Sequence, residues 1–505
     1  MGIARIGKGI TYIAALNALQ FFVGIIFYNI LSKSIEPEEI GLFSTLTFIL
    51  VVFTTLAPLA IQFAATKYVA EYLGRGDTDK AAAVARTATR IVLLSSSAFF
   101  VVFLVVALVV GRIWTNIVSI EVLLAVIAGA GFFAALKVIY LGLIQGLQLF
   151  DRYAVANLSP MIASKFLGIF LVLAGMGLLG AVLGLLIGEG IGLVITFFLY
   201  RGELPSTKTQ FDLNVLMKFS LPVLVMMLLA TMQDWTGRIL FLVISGNLEA
   251  LGVFDLVIRA VTSLGIIGAV LDVIVFPTFS ESYGKSGKKD LSGMLVKALR
   301  YLGFMYFPAA FGLAAISRTA MTALYQARLA SEGTAPLMIL AVFSILNAFT
   351  TILNSGLKSI GRTTAFVRIS LTALVVDAII VTVSSSVLGL YGAVIARATA
   401  IVVLFLLTLF VLRKELPFIM DREGLLKGLA SGLFVVPPVL FIEYCLSFSN
   451  IFVKLGVEVI VAMVCYFFAL LLFKALRKED LNILRKIFPS RMGGIINMLE
   501  RFCAR

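Results

Sequence analysis

The chain of 505 residues is 61% apolar and 13% charged, with a mean hydropathy of +1.08, whereas ordinary soluble chains are roughly 45–50% apolar and about 25% charged. At about 20 apolar residues per crossing, that leaves room for about a dozen or more transmembrane helices and excludes both a soluble globular enzyme and a large extramembrane domain. A net charge of +14 without one histidine excludes imidazole as base, shuttle or metal ligand and poses nucleic acid against anionic lipid as the partner of the excess charge.

Apolar runs bounded by charged or turn residues predict an all-α polytopic membrane protein with 14 transmembrane helices. Runs 1 to 6 lie at 10–31, 40–66, 91–110, 120–143, 155–174 and 179–200. Runs 7 to 12 lie at 219–245, 251–276, 297–316, 336–357, 365–386 and 390–412, and runs 13 and 14 at 426–447 and 451–473. Run 1 follows Arg5 and Lys8 as a signal peptide does, but its 22 residues lack a small-residue cleavage site, so it is expected to be retained. Pro58, Pro160, Pro222, Pro308 and the Pro437-Pro438 pair predict kinks within runs. In run 6, Gly180, Gly184, Gly188 and Gly192 recur every four residues, forming either a ridge for close helix packing or a face lining a lumen. Cys445, Cys465 and Cys503 lack CxxC spacing and read as small apolar residues, not as a metal site or disulfide framework.

Charges within the runs come next, because one at bilayer depth costs at least about 2.5–3.5 kcal/mol and needs a partner or an aqueous cavity. Run 1 has no deep charge but carries Asn17 and Gln20 on one face, for hydrogen-bonding groups of a substrate or for a neighbouring helix. Lys137 in run 4 has no acid in its own hairpin; it either snorkels to the cytoplasmic surface or receives an anionic group from that side. Lys165 in run 5 and Glu189 in run 6 lie at similar depth and are expected to pair, as are Asp377 in run 11 and Arg397 in run 12 with the charges reversed. Asp234 with Arg238 in run 7 and Asp255 with Arg259 in run 8 are i,i+4 pairs, with both arginines roughly 10–12 Å from the outer ends. The four form either a neutral latch or a site whose arginines bind phosphate while an aspartate exchanges H+ or Na+. The candidate substrate-binding set is therefore Lys137, Lys165, Arg238, Arg259, Arg397, Asn17 and Gln20, and the ion-coupling set Glu189, Asp234, Asp255 and Asp377. Lys454 with Glu458, and Asp272, Arg368 and Glu443 near run ends, read as interface residues. No catalytic residue, metal ligand or other cofactor is expected, and the absence of a GxxxxGK[ST] loop excludes direct use of ATP.

With both termini inside, and with Lys297, Arg300 and Lys427 at the inner ends of their runs counted as cytoplasmic, that side holds 30 Lys and Arg and the outer side 4, the other 7 lying deeper in the runs. This positive-inside asymmetry assigns the excess charge to topology in a plasma membrane, with no nucleic acid involved. The tail 474–505 alternates basic and apolar residues like a helix lying on the anionic inner leaflet. The outer loops are too short for the catalytic loop of a glycosyl polymerase.

An offset near 211 relates the halves. Ile40-Gly41-Leu42-Phe43 matches Leu251-Gly252-Val253-Phe254, Tyr72, Gly76 and Asp79 match Tyr283, Gly287 and Asp290, Gly146-Leu147 and Arg152 match Gly356-Leu357 and Arg362, and the Gly177 to Val182 stretch matches Gly389 to Val394. Six runs per repeat make the repeats parallel, with a site expected at their interface. The expected divisions are an N-lobe at 1–214, a C-lobe at 215–414, two added helices at 415–473 and the tail.

These residues, with Phe276-Pro277 before a Gly/Lys-rich loop and Gly142-Leu143-Ile144-Gln145-Gly146 after run 4, resemble the polysaccharide flippases of the multidrug/oligosaccharidyl-lipid/polysaccharide exporter superfamily over about residues 5–473. The resemblance implies two lobes in a V, a central cationic cavity for the pyrophosphate-sugar headgroup, alternating access, and a groove for the lipid tail formed by runs 13 and 14. The function it implies is that of a monomeric, non-enzymatic flippase moving a polyprenyl-diphosphate-linked glycan from the inner to the outer leaflet. A peptidoglycan-precursor flippase and a drug/cation antiporter are the alternatives.

Overall fold

The computed structural model describes Leu19 and residues 22–113, 120–205 and 209–475; Asn17, Gln20 and the tail from 476 lie outside these. Hydrocarbon offers the backbone no hydrogen bonds, so a chain this apolar must satisfy its own amides within helices, and all regular structure among the described residues is helical. The first helices are α1 (Phe22–Ser34), α2 (Pro37–Leu56), α3 (Ile61–Gly74), α4 (Thr78–Ile113) and α5 (Ile120–Gly146). A π turn at Val172–Met176 joins α6 (Phe150–Leu171) to α7 (Gly177–Tyr200), and α8 (Leu213–Ser245) and the long α9 (Leu248–Ala315) follow. Then come α10 (Ser317–Leu324), α11 (Ala327–Ser359), α12 (Thr363–Leu388), α13 (Leu390–Glu415), α14 (Arg422–Leu433), α15 (Val436–Cys445) and α16 (Ile451–Leu472). By length and composition, ten helical stretches among the described residues can cross a membrane, or eleven if the pair Gly287–Ala315 and α10, bent by 68°, is one span. The chain is a multi-pass membrane protein. Val101, Val105 and Leu108 of α4 are each more than half exposed, as a lipid-facing surface requires.

One predicted run is broken, and another is interrupted without leaving helical backbone, since Phe434 and Val435 between α14 and α15 keep φ/ψ of -61°/-22° and -67°/-30°. The run at 40–66 divides at Pro58, after which Leu59 and Ala60 adopt φ of 53° and 55°. Proline lacks the amide hydrogen and its ring obstructs the preceding turn; Ser95 Oγ of α4 donates to the carbonyl of Ala57 at 2.6 Å, satisfying an acceptor at the break. The run at 426–447 divides into α14 and α15, with the Pro437-Pro438 pair in the first turn of α15, where a missing amide hydrogen costs little.

The run 6 glycines form a packing ridge. A Cβ on Gly184 would lie 2.5 Å from the Gly168 backbone, one on Gly188 2.5 Å from Ser164, and one on Gly192 2.5 Å from Pro160. Four-residue steps on α7 thus meet four-residue steps on α6.

Residues Met1–Gly252 and Val253–Arg505 form two compact units. The unit boundary lies one helix beyond the repeat boundary expected at 214, because Leu216 of α8 is buried with Ala65, Val69, Ala85 and Ile139 of the first unit. The repeat spacing recurs in backbone geometry. Gly76 and Gly287 have φ of 77° and 74°, and Gly177 and Gly389 have φ of 51° and 55°. Arg152 pairs with Glu203 in the first unit, and Arg362 Nη2 lies 2.9 Å from Glu415 Oε1 in the second.

Gly188→Leu is expected to destabilise the α6–α7 hairpin by about 1–3 kcal/mol or more through overpacking. Gly456→Leu, at an exposed position on α16 with nothing within 4 Å, should be tolerated. Thermal unfolding of the two variants in detergent compares them; equal melting temperatures would remove the close-packing assignment.

Candidate functional site

In the first unit, Lys137 of α5 donates to Glu189 of α7 at 2.6 Å, with the two side chains 11% and 16% exposed. The expected Lys165–Glu189 pair is therefore replaced, and Lys137 reaches an acid of the next hairpin instead of snorkelling. The cause is the glycine ridge. Ser164 sits against Gly188, and the next residue on each helix is turned by about 100°, which directs Glu189 toward α5 and Lys165 toward α1. Lys165 Nζ lies 4.6 Å from the centroid of Phe27 and 5.3 Å from that of Tyr28, rings that also pack with Phe43 of α2. On α8, the guanidinium of Arg238 lies 4.4 Å over Trp235, which packs on Phe48 of α2 at 5.2 Å. Such cation–π contacts are worth about 0.5–2 kcal/mol. Asp234, one turn before Arg238, is exposed.

In the second unit, the expected i,i+4 pair forms: Arg259 Nε donates to Asp255 Oδ2 at 2.6 Å, and Asp255 is 1% exposed. Asp377 does not form its expected bridge. It is buried on α12, neither carboxyl oxygen has a hydrogen-bond partner, and Arg397 of α13 acts on it through its charge alone. The hairpin symmetry expected of the two ion pairs is thus broken in both units.

A further cluster joins α10, α15 and α16. Glu458 is fully buried and Glu443 nearly so. The Thr319 hydroxyl contacts Glu443 and lies 3.0 Å from Glu458, while Lys454 Nζ lies 3.5 Å from Glu443 and 4.0 Å from Glu458. One hydroxyl carries one proton, so Thr319 donates to one carboxyl and accepts from the other when that acid is protonated. The Lys454–Glu458 spacing was a usable signal; Thr319 and Glu443 come from other helices, and nothing local marks them. Arg368 is exposed, as expected of an interface residue. No group of three or more His, Cys, Asp or Glu among the described residues could hold a metal ion.

The arrangement offers buried and half-buried cations, and carboxyls that are buried beside them.

Residues 30–332 match the family described as "Polysaccharide biosynthesis protein". No curated protein sequence matches the chain. Among solved structures, the chain is similar to an inward-facing multidrug resistance MATE family transporter of the MOP superfamily, at 16% identity over 79% of this chain and 98% of that one, with a TM-score of 0.64. It is also similar to the lipid II flippase MurJ in its inward closed conformation, at 14% identity over 86% and 98%, with a TM-score of 0.57. The MATE multidrug transporter DinF-BH, in a ligand complex, gives 15% identity over 82% and 97%, with a TM-score of 0.59. The chain therefore has the fold of these transporters.

Lys137→Met leaves a buried carboxylate without its counter-charge and should cost about 3–5 kcal/mol, whereas Lys137→Met with Glu189→Leu should recover most of that loss. Chemical or thermal unfolding in detergent measures both. A double variant no more stable than the single one would mean that the pair is not coupled.

Proposed function

The chain belongs to the polysaccharide biosynthesis protein family, and on that premise we propose that it is a non-enzymatic flippase carrying a polyprenyl-diphosphate-linked oligosaccharide from the inner to the outer leaflet. The product serves cell-surface polysaccharide synthesis. The family match carries this reading, and a fold shared with membrane transporters supports it. The proposed topology has fourteen crossings with both termini cytoplasmic. α6 with α7 and the two arms of α9 each supply two crossings, and α14 with α15 supply one. Two parallel six-helix repeats, at 1–214 and 215–414, work by alternating access, and the protein acts as a monomer.

Lys137 is proposed to exchange Glu189 for the substrate diphosphate arriving from the cytoplasmic side. Lys165, Arg238, Arg259 and Arg397 supply further positive charge along the route, and Asn17 and Gln20 contact sugar hydroxyls. A carboxylate released by its cation is then available to bind a proton or Na+, which assigns coupling to Glu189, Asp234, Asp255 and Asp377. The buried carboxyl oxygens of Asp377, with no hydrogen-bond partner, support that role. Peptidoglycan-precursor transport is the second reading, since the lipid II flippase shares the fold.

Proteoliposomes with a fluorescent polyprenyl-diphosphate oligosaccharide test the proposal. Flipping is expected, falling at least about tenfold in the variant with Lys137→Met and Glu189→Leu, the scale of losing one charge-assisted contact. A proton or Na+ gradient should accelerate it, and Asp377→Asn should abolish that acceleration. No flipping of this substrate, with transport of a peptidoglycan precursor, would replace the first reading by the second. Equal rates with and without ion gradients would remove the coupling.

A further inference from the structure

The geometry points to a second anion site in this protein, for the phosphate headgroup of an anionic phospholipid at the inner leaflet, between the second arm of α9 and the 416–421 segment that joins α13 to α14. It rests on the orientation proposed above, which places this end of the second unit at the cytoplasmic surface, but not on the identity of the transported substrate. A cavity of about 500 Å³ opens there, lined by Ser292, Val296, Lys297, Arg300, Phe418 and Asp421 among others.

Its fixed cation is Arg300, only 4% exposed. Three features hold the guanidinium in place. Nε lies 3.7 Å from Asp421 Oδ2, the group stacks 5.3 Å from Phe304, and a Cβ on Gly424 would come within 3.0 Å of Nε. Arginine in a fixed orientation suits phosphate because its planar fork presents parallel donors. Lys297, one turn earlier on α9, is exposed and lines the same cavity, adding a second positive charge.

The occupant is a lipid rather than a free anion because the same wall is apolar. Pro417, Phe418 and Ile419 line this cavity and also an adjoining one of about 320 Å³ that contains Arg413 and Arg422. Ile419 is 85% exposed, and Arg413 lies 5.9 Å over Phe418. Pro417 and Ile419 are exposed while Phe418 between them is buried in the core; cations on both sides of such a short apolar projection form the pattern of an interfacial anchor, in which the projection enters the acyl region and the charges take the headgroups. Inorganic phosphate would use the cations without needing the projection.

Lipid binding to the purified full-length protein in neutral detergent, followed by native mass spectrometry and thermal stability, tests the site. Phosphatidylglycerol, phosphatidylcholine and inorganic phosphate are the three probes. The expected result is preferential binding and stabilisation by phosphatidylglycerol, weakened about fivefold for each cation removed in Lys297→Gln and in Lys297→Gln with Arg300→Gln. Ile419→Ser should weaken phosphatidylglycerol and leave inorganic phosphate unaffected. If the Arg300 variant fails to fold, Lys297→Gln, at an exposed position, decides alone. Equal binding of phosphatidylglycerol and phosphatidylcholine, or affinity unchanged in Lys297→Gln, would overturn the site. Inorganic phosphate stabilising as strongly as phosphatidylglycerol would overturn the lipid assignment in favour of a free anion.

Discussion

A bilayer supplies neither hydrogen bonds nor counter-ions, so a polar group that this chain places at depth is costly unless another part of the chain answers it. The Pro58 break is accompanied by Ser95 donating to the Ala57 carbonyl. Lys137 has Glu189, Arg259 has Asp255, and Lys165 and Arg238 lie over aromatic rings. Close glycine packing of α6 on α7 serves the same constraint. In lipid there is little hydrophobic drive to join helices, and van der Waals contact between backbones takes its place.

The same constraint makes a buried ion pair useful to a transporter. A cation held by a protein carboxylate at 2.6 Å is already oriented, and an incoming diphosphate competes for it without first having to strip it of bulk water. The exchange also leaves a carboxylate whose charge must be neutralised at depth. That demand links substrate occupancy to uptake of a proton or Na+ in the proposed cycle. The Thr319, Glu443 and Glu458 contact has a related logic, since its shared hydroxyl is satisfied when one of the acids holds a proton.

What the sequence disclosed depended on how local each feature is. The i,i+4 pair Asp255–Arg259 and the four-residue glycine period are each contained within one helix and have structural counterparts, while of the apolar runs ten or eleven membrane-length helical stretches emerge among the described residues. The repeat was legible because it fixes turns: Gly177 and Gly389 hold matching positive φ values. Lys137–Glu189 was not legible, because it depends on α5, α6 and α7 packing together. Once Ser164 faces Gly188, the adjacent Lys165 and Glu189 must diverge. Asp377 and Arg397 fell short of contact for a related reason, since equal depth on neighbouring helices does not set the rotation of either one. Pro58 announced a disturbance in its run, but the difference between a kink and a full break lay in the Leu59 and Ala60 backbone.

In the proposed cycle, buried cations in these spans recognise a diphosphate on a lipid carrier. Equilibrium binding of a polyprenyl-diphosphate oligosaccharide to the purified protein tests this most directly, with the neutral polyprenol as reference. The diphosphate lipid should bind far more tightly than the polyprenol, and changing Lys137, Arg238 and Arg259 together to Gln should remove most of that difference. Affinity for the diphosphate lipid undiminished by the triple change would contradict the account.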